Sequence, residues 1–281
     1  MHARHLRTAL IAAALVVGLG ACSSTGGSGS ASATGSTGSG AAAAGADQSL
    51  AKVQKAGVIT FGTEGTYKPF SYHADGGGDL TGFDVEVARA IASKLGVKAA
   101  FQETQWDAIF AGLDAGRFDA ITNQVSITPE RQAKYEFSTP YTVSTGVIVV
   151  KQDNTSITSF DSLKGKTTAQ SLTSNWYKLA QSSGANVQSV EGWAQSVALV
   201  QQGRVDATIN DKLTYLDYVK TNGQSGLKIA AETTDKSQSA VALKKGATAL
   251  TQAIDTALKQ LADDGTLTSI SQKYFGADVT K

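Results

Sequence analysis

The stretch Trp106-Asp-Ala-Ile-Phe-Ala-Gly-Leu-Asp-Ala-Gly116-Arg117-Phe-Asp119-Ala120-Ile-Thr-Asn123 returns 87 residues later as Trp193-Ala-Gln-Ser-Val-Ala-Leu-Val-Gln-Gln-Gly203-Arg204-Val-Asp206-Ala207-Thr-Ile-Asn210. Seven of the 18 aligned positions are identical without a gap. Each copy reads as an amphipathic helix, a glycine where the helix must stop, and a strand that begins at Asp-Ala. Any helix–glycine–strand unit shares some of this pattern. The preferred reading is two lobes of similar α/β design. In open α/β sheets ligands bind beyond the carboxyl ends of the strands. Asn123-Gln124 and Asn210-Asp211 end the two equivalent strands, so facing lobes would aim both pairs into one cleft.

The same rhythm extends outward from the repeat. Val58–Gly62, Lys98–Gln102 and Phe118–Thr122 read as strands, separated by helices over Asp84–Leu95 and Asp107–Ala115. After an apolar strand at Thr145–Lys151 the alternation restarts, with strands at 165–171, 186–191 and 205–209. A β-rich segment near Ser237–Leu243 leads into a helix with Leu250, Ile254, Leu258 and Leu261 in register. Asp264-Gly265 breaks it before a last short helix to Tyr274. The expected fold class is α/β, two-lobed, with a mainly parallel sheet in each lobe and a ligand cleft between them. Residues 47–146 and 238–281 are assigned to lobe 1, and residues 147–237 to lobe 2.

The first 46 residues have a different character. Arg4 and Arg7 precede a short apolar run, Ala9–Leu19, which ends in Leu19-Gly20-Ala21-Cys22. Residues 1–22 therefore read as a signal peptide, and the ending resembles the bacterial lipobox, with Cys22 as the acylation site. A secretory leader that merely contains a cysteine is the plainer alternative. Residues 23–46 are drawn only from Gly, Ala, Ser and Thr. Such a tract cannot bury enough apolar surface to order itself, and reads as a flexible tether with an r.m.s. reach of roughly 25–30 Å. No later apolar run is long enough to span a bilayer, which leaves the lipid as the one expected membrane anchor.

Composition narrows the function. The chain has 281 residues, with 25 Lys+Arg against 24 Asp+Glu, three His, one Cys and one Met. A net charge of +1 gives no footprint for nucleic acid, and cleavage before Cys22 would turn it to −1 by removing Arg4 and Arg7. One cysteine excludes an internal disulfide and any multi-cysteine metal site. His73, the one histidine left after cleavage, lies in a glycine-rich turn. No cofactor or metal is expected.

The motif Gly82-Phe83-Asp84-Val85-Glu86-Val87-Ala88-Arg89-Ala90-Ile91-Ala92-Ser93-Lys94-Leu95 matches the signature of the family 3 extracellular solute-binding proteins, the polar amino-acid receptors of ABC importers. Thr66-Tyr67-Lys68-Pro69-Phe70, Ser126-Ile127-Thr128-Pro129-Glu130-Arg131 and Phe137-Ser138-Thr139-Pro140-Tyr141 extend the resemblance, which continues to Lys273-Tyr274-Phe275-Gly276. Within the family the chain resembles the cystine-binding branch, through Asn123–Thr128, Ser138–Ser144, Gly203–Ala207 and Gly276–Lys281.

The resemblance implies a free amino acid gripped at both charged ends. Arg131 would pair with the ligand α-carboxylate, since a planar guanidinium offers two parallel donors to two oxygens. Asp211 would receive the ammonium, and Glu64 stands where the family commonly has an Asp. Ser126 and Ser174 match further contacts, with Thr173 a weaker one. Tyr67 and Trp106 match two aromatics that sandwich the ligand. Trp193 reads as core or hinge-side packing.

The neutral amides Asn123, Gln124, Gln170 and Asn210 are expected to face the ligand side chain. They favour cystine, cysteine or glutamine over a dicarboxylic, basic or branched-chain ligand. The partners implied are an amino acid, with cystine favoured, and ABC permease subunits, for a monomer outside the cytoplasm. Two other classes stay open. A sensor or surface module could bind the same ligand without feeding a transporter. A dehydratase on this fold has less support, since the chain offers no thiol in the body, no Gly-x-Ser-x-Gly elbow and no phosphate loop.

Overall fold

In the computed structural model, which describes residues 47–223 and 226–281, the repeated unit is built twice. Cys22 and the 23–46 tether lie outside the described residues. In the first copy the strand Val58–Thr63 runs through the helix Phe83–Lys94 to the parallel strand Lys98–Glu103. The helix Trp106–Asp114 then delivers Ala120–Ile121 to the other side of Val58–Thr63. In the second copy Thr167–Gln170, Asn186–Ser189 and Ala207–Asp211 take the same three places, linked by the helices Asn175–Ser182 and Trp193–Gln201.

The shared glycine and aspartate of the repeat have identical jobs. Gly116 and Gly203 sit at φ 71° and 69°, in the left-handed region where a Cβ costs roughly 1–2 kcal/mol. Asp119 then pairs with Thr60, its backbone N–H donating to the carbonyl at 2.8 Å and its carboxylate accepting from Thr60 N at 3.0 Å. Asp206 does the same to Thr167, at 2.8 and 2.7 Å. Each aspartate thus adds a side-chain rung to the start of a parallel ladder.

Two more strands complete each sheet. Ala242–Lys244 and Tyr135–Phe137 extend the first, Thr142–Lys151 and Leu227–Ser239 the second. In each sheet four strands run one way, and the fourth in spatial order is reversed. The reversal has a geometric cause. Thr142–Lys151 arrives from the first sheet and Ala242–Lys244 returns from the second, so each enters where its parallel neighbours end and must run against them. Both crossings therefore lie on the side of the carboxyl strand ends, and the cleft opens there. Residues 142–146, expected with lobe 1, already pair with the second sheet, Thr142 with Ser239 and Gly146 with Asp211.

The core follows the apolar pattern. Val87, Ala88 and Ile91 pack with Leu250, Ile254, Leu258 and Leu261 in one cluster. Val147 and Val149 face one side of the second sheet while Ile148 and Val150 face the other, which is why that strand reads as a continuous apolar run. Several elements were not anticipated from the sequence, among them the short strands Thr66–Tyr67, Ser71–His73, Leu80–Thr81 and Tyr135–Phe137, the helix Ser49–Ala56 and most of Leu227–Ser239. The helix Ser49–Ala56 buries little beyond Val53. Leu227–Ser239 is long but mostly polar, and register shifts after Ile229 and Glu232 break its period of two.

Candidate functional site

The strand ends converge on a cavity bounded by Glu64, Tyr67, Trp106 and Gln124 from the first lobe and by Gln170, Trp176 and Asn210 from the second. Of the eleven residues expected at the site, eight line it, Asn123 and Ser174 included. Ser126, Arg131 and Asp211 flank it instead. Asp211 follows Asn210, Ser126 lies two residues beyond Gln124, and Arg131 lies against the Trp106 ring.

Asn123 is spent on orienting Glu64. Its Oδ1 accepts from Thr63 Oγ1 at 3.0 Å and from Glu64 N at 2.9 Å, and its Nδ2 donates to Glu64 Oε2 at 2.6 Å. Burial pushes the Glu64 carboxyl up to about 7; the Asn123 bond opposes this, and the charge of Asp107 adds to it. Gln124 is the one non-glycine residue among those described with positive φ, at 50°, a conformation that costs of order 1–3 kcal/mol. Asp84 holds it there, accepting from Gln124 N and from Gln124 Nε2, both at 2.7 Å. That amide nitrogen also donates to Thr142 Oγ1 at 3.2 Å, while Gln124 Oε1 is buried without a partner. Asp84 is itself fully buried, and burial lifts its carboxyl to about 7 against the two Gln124 bonds.

In the second lobe, helix starts fix the side chains. Ser174 caps the helix Asn175–Ser182, its Oγ accepting from Tyr177 N at 3.0 Å. Asp211 caps Lys212–Asn222 in the same way through Leu213 N at 2.8 Å, and the same oxygen accepts from Ser144 Oγ at 2.7 Å. Burial raises Asp211 to about 6, opposed by those two bonds. Its other carboxylate oxygen has no hydrogen bond among the described residues. Gln170 Oε1 meets Thr208 Oγ1 at 3.5 Å, and its Nε2 has no partner.

Arg131 lies in the helix Pro129–Gln132, capped by Thr128 as its Thr-Pro-Glu-Arg sequence predicts. Its guanidinium carbon stands 5.2 Å from the Trp106 ring centre and 5.3 Å from that of Phe110. It donates to the carbonyls of Ser126 at 2.9 Å and Thr173 at 3.4 Å. No carboxylate pairs with it among the described residues. Burial lowers its pKa to about 10, with Glu130 opposing.

Direct contacts cross the cleft. Thr173 donates through both N and Oγ1 to Asp107 Oδ1, at 2.9 and 2.8 Å. Tyr67 donates its hydroxyl to Asn210 Oδ1 at 3.0 Å and accepts from Thr214 Oγ1 at 3.1 Å.

Sequence reasoning passed over Asp84, Asp107 and Ser144, whose partners are 40 or more residues away. It also passed over Trp176, in the first turn after Ser174. Trp176 packs so closely on Gly146 that a Cβ there would lie 2.4 Å from its ring. Trp193, read as packing, does meet Tyr218 edge-on at 5.9 Å, and it also borders the cavity. His73 lies away from the cavity, bonded to Gly78 O and Glu103. No group of His, Cys, Asp or Glu among the described residues is arranged to hold a metal.

Two α/β lobes that present polar strand ends to a cavity between them form the architecture of a solute-binding protein. The chain belongs to the bacterial extracellular solute-binding proteins, family 3, whose model matches residues 59–277. It is 51% identical over 231 residues to the L-cystine-binding protein TcyA of Bacillus subtilis (strain 168), covering 82% of this chain and 86% of the relative. The L-cystine solute receptor of Neisseria gonorrhoeae, in its unliganded open conformation, is 46% identical with a TM-score of 0.57, covering 83% of this chain and 99% of that one. An ancestral arginine-binding protein bound to arginine is 37% identical with a TM-score of 0.74, covering 78% and 99%.

Proposed function

We propose that this chain captures L-cystine outside the cytoplasm by closing its lobes and hands it to the permease of an amino-acid ABC importer. A lipid on Cys22 and the 23–46 tether would hold the body near the membrane. The observation that carries the reading is Arg131, a partly buried cation beside the cavity with no anionic partner among the described residues. Leaving a buried charge unpaired is costly, and a ligand carboxylate is the partner that a planar guanidinium fits. The unbonded oxygen of Asp211 supplies the complementary acceptor for an ammonium.

Two comparisons support the particulars. The relatives at 51% and 46% identity are named for L-cystine. The bound arginine receptor superposes better than the open cystine receptor despite lower identity, 0.74 against 0.57, which supports reading this structure as lobes drawn together. Calorimetric titration with the common amino acids and L-cystine tests the assignment. Saturable binding of L-cystine with compaction in small-angle scattering is expected. Preference for another amino acid overturns the ligand, and a constant radius of gyration overturns the closure.

A further inference from the structure

The segment Gly276–Lys281 takes no part in the site, yet it is closely tied down. Gly276 stands at φ 68° and turns the chain back after the helix Thr266–Phe275. Ser271, fully buried in that helix, pins the tail twice: its Oγ donates to Ala277 O at 2.6 Å and accepts from Val279 N at 2.8 Å. Asp278 closes the turn. One of its carboxylate oxygens accepts from Thr280 N at 3.1 Å and Thr280 Oγ1 at 2.6 Å, and the other accepts from Thr268 Oγ1 at 2.9 Å. The Val279 side chain packs on the first-lobe cluster that holds Leu267 and Ile270. Its carbonyl reaches the crossing strand, accepting from Val143 N at 2.8 Å.

Val143 is the second residue of the strand Thr142–Lys151, at a place where that strand would otherwise have a bare edge. Ala207–Asp211 covers the edge from Val150 back to Gly146 and then turns into the helix Lys212–Asn222. In an antiparallel pair, opposed residues alternate between bonding each other and pointing their N–H and C=O outward. Val143 and Gln238 oppose each other across the two crossing strands, and the first lobe takes an outward group from each. Ile127 N donates to Gln238 O at 2.9 Å, and Val279 O receives Val143 N. The hold of the first lobe on both crossings thus ends at one level. One residue further on, Ser144 donates to Asp211 of the second lobe, and Gly146 pairs with the same Asp211.

We infer that the C-terminal segment Gly276–Lys281 is a hinge strap: by covering the edge at Val143 it fixes where the crossing strand leaves the first lobe, and so confines lobe rotation to residues 144–145. The inference rests on the lobe closure proposed above. Hinges absorb motion over a few residues, and a longer free stretch has more conformations to lose when a ligand closes the lobes. Without the strap the unliganded lobes spread over wider separations, and closing them costs more. Liganded lobes, held by the ligand itself, keep their spacing.

The test ends the chain at Gly276 with a stop codon in place of Ala277, and sets beside it Asp278→Ala, which loosens the turn but keeps the Val279 side chain. Amide exchange is read residue by residue at Val143 and at Val149, which lies in the same strand with paired neighbours on both sides. In both variants the Val143 amide is expected to exchange about tenfold faster or more with Val149 unchanged, because the opening is local. Small-angle scattering should give both variants a larger radius of gyration than wild type without ligand, and the wild-type radius with saturating L-cystine. Calorimetry should find L-cystine bound about threefold more weakly or worse, since closure is linked to binding. Equal acceleration at Val143 and Val149 overturns the strap, because it reports a global loss of stability. A truncated chain whose unliganded radius and affinity match wild type overturns it as well. A wild type whose radius ignores L-cystine refutes the closure reading, and the hinge role with it, whatever the Val143 amide does. If the truncated chain does not fold, Asp278→Ala decides through the same three readouts.

Discussion

Replacing Arg131 by alanine removes a cation that stands against Trp106 beside the cavity, whose own lining contains no Lys or Arg among the described residues. The guanidinium already donates to the carbonyls of Ser126 and Thr173, and its five donors leave enough over for a two-pronged carboxylate. Stripping one partner from a buried charge pair costs about 2–5 kcal/mol, or about thirtyfold to several thousandfold in Kd at about 1.4 kcal/mol per decade. Arg131→Lys keeps the charge but loses the planar fork and the stacking on Trp106 and Phe110, so its affinity should fall between the two. Isothermal titration with L-cystine reads the effect. Melting curves without ligand separate it from lost packing, since the alanine variant also gives up the Thr173 contact. An alanine variant that folds and binds within threefold of wild type would show that the carboxylate docks elsewhere.

Proton uptake gives a second prediction. Asp211 at about 6 and Glu64 at about 7 lie above the ordinary carboxyl range of about 4. The folded state therefore holds more protons than the unfolded state between about pH 4 and 7, and unliganded stability should fall as pH rises through that window. A ligand ammonium favours the ionised carboxylate, so affinity should move the other way. Asp211 alone predicts binding about tenfold weaker at pH 5 than on the plateau above pH 7. Titrations across pH 5–8 that give a flat affinity would contradict this.

Asp107→Ala deletes the acceptor for both Thr173 donors and should enlarge the unliganded radius of gyration while weakening ligand several-fold; unchanged scattering would deny that contact a role in holding the lobes. Cys22→Ala should release the protein from the membrane fraction, and its retention there would exclude the lipid anchor.

The fold was legible because its signals are local. Helix faces such as Val87, Ala88 and Ile91, stop glycines such as Gly116 and Gly203, and strand starts at Asp119 and Asp206 each declare themselves within a few residues. Most of the strand Leu227–Ser239, ahead of the β-rich segment read near Ser237, escaped notice because two register shifts destroy its alternation and polar and charged residues fill its exposed face. At the site, residue types were legible but their division of labour was not. Asn123 and Gln124 read as equivalent neutral amides. One is consumed in holding Glu64; the other keeps a free oxygen only because Asp84 and Thr142 occupy its nitrogen.

The sequence by itself determined the two-lobed α/β plan and the choice of polar strand ends as the place for a ligand. Both follow from short-range periodicity and from the rule that ligands sit beyond carboxyl strand ends. It also carried the family likeness in Gly82–Leu95, without disclosing that Asp84 is there to hold Gln124 at positive φ. Only the tertiary structure decided which polar atoms remain unpaired. That property belongs to no residue alone: a side chain is free to meet a ligand only when every neighbour brought from elsewhere in the chain has left it so. Hence Arg131 without an acid among the described residues, Gln170 and Trp106 with donors to spare, and Asp107 already engaged with Thr173 became distinguishable once the strand ends of the two sheets met at the cleft.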